Sequence, residues 1–222
     1  MFNICPKCGE DRADKIIEPE GPYAVCPNCN YRHKFVRLPL FVLTGASGVG
    51  KTTTCLALAA GANDFVTMES DILLLSFVDE LNQPGTNYRE YRELWLRVCK
   101  NISQAGRPVI LCGVGEPTQF EQCVERRYFS EIFYLALVCE DEVLASHLRS
   151  RPPWPGGSIA DERIKQEVPF NRWLKASARS TKPPMTLLDI TDLTVDRVVE
   201  EVTRWVNDCL SGDKQIRLDQ PG

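Results

Sequence analysis

Residues 45–52 read Gly-Ala-Ser-Gly-Val-Gly-Lys-Thr: three glycines, then a lysine followed at once by a hydroxyl. Glycine lets a backbone curl until successive N–H groups point at one centre, and a concavity of amides binds an anion. Every fixed position of the pattern GxxxxGK[ST] is filled. On that pattern Gly45, Ala46, Ser47, Gly48, Val49 and Gly50 wrap a nucleotide's phosphate chain. Lys51 reaches the β- and γ-phosphates, Thr52 offers its hydroxyl to Mg²⁺, and Thr53 follows at the start of the helix. The flanks agree: Phe41-Val42-Leu43 is a short apolar strand, and residues 52–60, TTTCLALAA, are helical in pattern, so the helix adds its positive end. The chemistry expected is therefore binding of a nucleotide with Mg²⁺.

A second constellation lies upstream. Cys5-x-x-Cys8 and Cys26-x-x-Cys29 are separated by seventeen residues, the spacing of a four-thiolate Zn²⁺ site. Two intervening residues let both sulfurs of one turn face a single ion, and the second pair closes the tetrahedron. So short a segment cannot bury enough surface to order itself, and the metal supplies its folding energy. Two short apolar runs around a Gly-Pro turn predict a β-hairpin between the pairs, making residues 1–37 a small zinc ribbon. A disulfide framework fits poorly, since nothing indicates secretion. The other six cysteines (Cys55, Cys99, Cys112, Cys123, Cys139 and Cys209) fall in apolar segments and read as small core residues. Residues 31–37, YRHKFVR, carry four cationic residues and two aromatics. They read as a solvated strand joining two units, or as a contact for nucleic acid.

The elements that must position these groups follow in order. After the first strand come DFVTMES (64–70), RPVILCG (107–113), EIFYLALVC (131–139) and MTLLDIT (185–191), each alternating with a helical pattern. That order predicts an α/β fold with a five-stranded parallel sheet flanked by helices. The last helix repeats Val195, Val198, Val199, Val202, Trp205 and Val206 at helical spacing and is expected to pack on the sheet. The boundary between the units falls near residue 38, the second runs to about 210, and 211–222 reads as a flexible tail. The chain has 222 residues and a net charge of −4, which excludes a surface basic enough overall to coat nucleic acid. No apolar run approaches the roughly 20 residues of a membrane span, and the N-terminus lacks a basic segment followed by an apolar core, so a cytoplasmic protein is expected.

Five parallel strands with the phosphate loop after the first resemble the P-loop kinase group of nucleoside, nucleotide and small-metabolite kinases, a P-loop NTPase fold, over about residues 40–210. The resemblance implies a phosphotransferase moving the γ-phosphoryl of ATP to a hydroxyl of a small-molecule or nucleoside-type acceptor. It places an acidic residue at the end of the second strand, here Asp71 with Glu69 as the weaker candidate, to take the acceptor's proton or serve the metal; Asp71 also suits a helix cap. It places arginines in a lid, here about 148–175, where Arg149 and Arg151 stabilise the transferring phosphoryl, 152–158 forms the hinge, and Arg163 closes from the lid's second helix. The loop after the last strand, with Asp192 and Leu193, is expected beside the base. Asn87 to Arg92 lies where the acceptor binds, with Arg89 or Arg92 holding an anionic group and Tyr88 stacking.

The pattern is not complete. The strand beside the P-loop strand usually ends in a carboxylate that supports Mg²⁺, whereas RPVILCG ends in Cys112-Gly113, with Glu116 further on. Gly113 and Gly115 suggest close approach to a ligand, with Gln119 or Glu121 giving polar contacts. The phosphate loop is close to that of guanylate kinases, but their acceptor-binding region is not recognisable, and the marker runs of adenylate and shikimate kinases are missing. A nucleic-acid-directed reading, such as a polynucleotide 5′-hydroxyl kinase or RNA-associated NTPase using the ribbon, is the alternative. A regulatory GTPase is disfavoured, because no Asn-Lys-x-Asp segment is present.

Overall fold

The structure, a computed structural model, describes residues 3–61, 64–77, 88–151 and 160–212. The expected hinge 152–158, Asn87 and residues 213–222 of the tail lie outside the described residues.

Three short strands, β1 (Ile16–Glu18), β2 (Tyr23–Val25) and β3 (Arg32–Lys34), form an antiparallel sheet in that order, so the hairpin exists and the basic stretch supplies a third strand. The main sheet is parallel. Its strands are β4 (Leu40–Gly45), β5 (Val66–Glu69), β6 (Val109–Cys112), β7 (Ile132–Val138) and β8 (Thr186–Asp189), in the order β5-β6-β4-β7-β8. The five-stranded α/β sheet expected from the sequence is present, with the phosphate-loop strand at its centre. All six residues of β4 are buried, as an apolar run covered on both faces requires. Alternation then divides the core. Phe41 and Leu43 join the cluster under α1 (Lys51–Ala60) and α6 (Val195–Leu210). Leu40 and Val42 join the cluster under α2 (Arg89–Ser103). On α6, Val198, Val202, Trp205 and Val206 are buried as the periodicity required, whereas Val195 is exposed.

Three shorter or peripheral helices complete the frame: α3 (Pro117–Glu121), α4 (Asp141–Ser150) and α5 (Ala160–Ser177). A 3-10 helix spans Ser70–Phe77, and another spans Val124–Tyr128. The small sheet is fastened to α2 and to that second 3-10 helix. Lys100 of α2 is 1% exposed and ion-pairs with Glu125, itself 0% exposed, and it also donates to Asn3 Oδ1 at 2.6 Å. The Phe35 ring meets Tyr128 edge-on, and the Tyr128 hydroxyl donates to the Ala13 carbonyl at 2.6 Å. Residue 36 is tied back by the Val36 amide, which donates to Gln104 Oε1 at 2.8 Å.

A buried ion pair is costly to break from one side, because the remaining charge stays desolvated. Glu125→Ala should therefore lower stability by about 3–5 kcal/mol. The double replacement Lys100→Met with Glu125→Leu should recover most of that loss. Urea unfolding of the two variants decides it: equal loss in both would mean the charges are not the source.

Candidate functional site

All strands of the main sheet run the same way, so their carboxyl ends share one edge, where open α/β sheets place ligands. A cavity of about 680 Å³ lies there. Residues Ser47 through Thr54, Thr53 among them, form its floor. Gly45 and Ala46 sit just below. A Cβ added at Gly45 would lie 2.6 Å from the Leu137 carbonyl oxygen, so only glycine fits where the loop leaves the sheet. Gly50 precedes α1 at φ 109, which turns the chain into the helix without a side-chain cap. The first amides of α1 thus face the cavity.

The cationic and hydroxyl groups of the loop are held by the protein itself. Lys51 Nζ donates to the carbonyls of Gly45 at 2.8 Å and Ala46 at 2.9 Å. Burial pushes its ammonium down to about 8, against the opposing pull of Glu167 and Asp71. Thr52 Oγ1 donates to Glu69 Oε1 at 2.5 Å. Glu69 ends β5 and stands in register with Cys112 of β6. A carboxylate thus stands one strand further out than the end of β6, and it accepts from the hydroxyl of Thr52. Asp71 also lines the cavity, inside the 3-10 helix, so it does not serve as the cap of a helix beginning at Ile72.

The wall opposite comes from α4, while α5 reaches the loop at Ser47. Arg151 lines the cavity, whereas Arg149 is exposed and does not. Arg163 Nη2 donates to Ser47 Oγ at 2.7 Å, which brings that arginine to the loop as expected. Sequence reasoning missed Glu167. Its Oε2 accepts the Ser47 amide at 2.6 Å, so a carboxylate occupies an amide that the motif reserves for phosphate. The available signal was its position one helical turn beyond Arg163. Asn171 anchors the same helix by exchanging hydrogen bonds with the Cys139 backbone: its Nδ2 donates to the carbonyl at 2.8 Å and its Oδ1 accepts the amide at 3.3 Å. His147 Nδ1–H donates to the Gly48 carbonyl at 3.1 Å. The far end is lined by Val143, Ile190, Thr191, Leu193 and Thr194. Leu193 lines the cavity, and the Asp192 side chain is not part of the lining.

On the acceptor side the residues sort differently. Gln119 Oε1 accepts the Glu116 amide, and Glu121 binds Arg126 and the Tyr134 hydroxyl, so both are spent on the local fold. Gly113 and Val114 line the cavity in their place. Of the scattered cysteines, Cys55, Cys99, Cys112, Cys123 and Cys139 are buried and Cys209 partly so; Cys112 and Cys139 also reach the cavity wall.

At the other end of the chain, the sulfurs of Cys5, Cys8, Cys26 and Cys29 all lie within 4.8 Å of one another. Cys5 to Cys29 is 3.6 Å and Cys8 to Cys26 is 3.7 Å, close to the roughly 3.8 Å between thiolates at tetrahedral 2.3 Å bonds. The two turns are alike: the Gly9 amide donates to Cys5 O at 2.9 Å, and the Asn30 amide to Cys26 O at 2.8 Å. Gly9 and Asn30 both take positive φ, 75 and 57. The four residues fit one soft or borderline metal ion. Beside them Arg32 pairs with Glu18 and lies 4.1 Å from the Tyr23 ring centroid, so this part of the basic stretch is engaged within the sheet. Among the described residues no helix is long and apolar enough to cross a membrane.

No family profile matches the chain, and no curated protein does. Solved structures do match in fold. A sugar kinase from a Janibacter species aligns at a TM-score of 0.55 and 16% identity, covering 77% of this chain and 95% of that one. A gluconokinase from Sinorhizobium meliloti 1021 aligns at 0.53 and 17%, covering 82% and 100%. A tunicamycin resistance protein of Deinococcus radiodurans aligns at 0.51 and 19%, covering 77% and 96%. At these identities the likeness concerns architecture: the chain has the α/β fold of P-loop kinases.

Proposed function

We propose that the protein is an ATP-dependent phosphotransferase that moves the γ-phosphoryl group to a hydroxyl of a small molecule. One observation carries the reading. A single cavity joins a phosphate loop and its lysine to a carboxylate, Asp71, and an arginine, Arg151, with room for a nucleotide and a second molecule. The named activities of the kinases that share the fold agree with it. The nucleotide's phosphates lie along Ser47 to Thr52, and the base lies toward Val143, Ile190 and Leu193. Thr52 and Glu69 would hold Mg²⁺, a hard cation suited to their oxygens, which neutralises charge on the β- and γ-phosphates when bound. Lys51 leaves its carbonyls for the phosphates. Asp71 accepts the acceptor hydroxyl's proton as its oxygen attacks in line, and Arg151 meets the charge developing on the transferring group. The four cysteines of residues 1–37 hold Zn²⁺, which fixes a ribbon that braces α2.

Lys51→Met should weaken ATP binding about 10- to 100-fold by calorimetry, the scale of a lost charge-assisted bond. In the unaltered protein that affinity should be full below about pH 8 and fall as the pH rises above it, because the free Lys51 loses its proton there while a bound triphosphate retains it; Lys51→Met should lose this dependence. Asp71→Asn should leave ATP binding intact and lower acceptor-dependent ADP release about 10²- to 10⁴-fold. An acceptor screen in which no hydroxylated compound raises ATP consumption would defeat the assignment. Metal analysis should find one zinc per chain, and Cys5→Ser should lower both metal content and thermal stability.

A further inference from the structure

The face that α4 turns toward the cavity has a member with no assigned task. Val143, His147 and Arg151 all line the cavity and follow one another at intervals of four residues, which sets them in one row along the helix and its end. At 1.5 Å per residue the row spans about 12 Å, on the scale of a nucleotide laid beside it. The two ends already have roles in the proposed reading: Val143 lies toward the base and Arg151 at the transferring phosphoryl group. His147 falls midway, where a sugar joins base to phosphates.

The histidine is fixed relative to the phosphate loop. At Gly48 the backbone has φ +86, and an added Cβ would lie 2.9 Å from Leu148 Cδ2, so α4 packs directly on the loop. The His147 Nδ1–H bond to the Gly48 carbonyl, at 3.1 Å, then holds the ring. A carbonyl can only accept, so this bond places the proton on Nδ1 and leaves a lone pair on Nε2 of the neutral ring. Nε2 has no hydrogen-bond partner among the described residues. Such a nitrogen accepts from a hydroxyl and repels a phosphate oxygen. The hydroxyls at the same end of the cavity are engaged. Thr191 donates to Asp189 Oδ1 at 2.6 Å and accepts the Glu140 amide at 2.9 Å. Thr194 accepts the Arg197 amide as the cap of α6, and Ser150 donates to the His147 carbonyl at 3.0 Å.

We infer that His147 reads a ribose hydroxyl of the nucleotide, accepting its hydrogen bond at Nε2, so that the protein selects ribonucleotides over deoxyribonucleotides. This rests on the nucleotide half of the phosphotransfer reading and deepens it. The contact lies on the phosphoryl donor, so it is measurable before the acceptor is known. A sugar that lacks the hydroxyl leaves Nε2 unpaired and forfeits one hydrogen bond.

The test is calorimetry on the full-length protein with Mg²⁺ and ATP, 2′-deoxy-ATP or 3′-deoxy-ATP. ATP should bind about 3- to 10-fold more tightly than one of the deoxy analogues, the scale of a single neutral hydrogen bond, and the analogue that weakens names the hydroxyl. His147→Asn retains an amide N–H for the Gly48 carbonyl but carries no atom at the place of Nε2; it should bind ATP and that analogue alike. His147→Gln, whose Oε1 extends to the place of Nε2, should regain part of the preference. Equal affinity for all three nucleotides in the unaltered protein, or a preference that survives in His147→Asn, would overturn the inference and leave nucleotide binding and phosphotransfer standing. If none of the three binds, the nucleotide reading itself fails and this inference falls with it.

Discussion

An arc of backbone amides that converge on one point cannot stay uncompensated in a half-enclosed cavity. The loop from Gly45 to Lys51 meets that demand with the protein's own groups: the Glu167 carboxylate takes the Ser47 amide, and the Lys51 ammonium turns onto the carbonyls of Gly45 and Ala46. This balance explains why several parts of the chain converge here. The sheet aims β4 at the loop, α1 continues it, β5 brings Glu69 to Thr52, and α5 lies close enough for Glu167 and Arg163 to reach Ser47. Burial would be costly for each charge alone and is tolerable because they are gathered.

Much of this was legible in the sequence because the signals were local. Strands buried on both faces appear as unbroken apolar runs, as in Leu40–Gly45, and the glycine spacing of the loop reflects backbone geometry that few other residues adopt. The paired cysteines are legible for the same reason, since a turn of four residues sets the distance between two sulfurs. What escaped was decided by tertiary placement. Glu69 and Asp71 are two residues apart on a strand end, and only the register of β5 against β6 puts Glu69 against Thr52. Arg149 and Arg151 are two residues apart and both exposed, yet only Arg151 lines the cavity. Gln119 and Glu121 seemed available for a ligand until the local helix cap and Arg126 absorbed them. No periodicity distinguishes a spent polar group from a free one.

The small sheet at the N-terminus belongs to the same mechanical unit. Its fastening runs through Lys100, Glu125 and Tyr128, and Lys100 lies on the same helix, α2, as Tyr91 and Trp95. A helix clamped at one end by a buried ion pair and at the other by the Ser70 carbonyl has little freedom to rotate. The small sheet therefore steadies α2, and through it the Ser70 segment, without touching the large cavity.

The carboxylate resting on Ser47 has one more consequence. A tethered group competes at an effective concentration in the millimolar range or above. A lone orthophosphate or sulfate must therefore compete with Glu167 for the Ser47 amide. On the proposed reading, a metal-bound triphosphate would spread its charge over more amides and dislodge the carboxylate from its perch. The first act of selection is thus a contest between anions, settled before base or acceptor has been read.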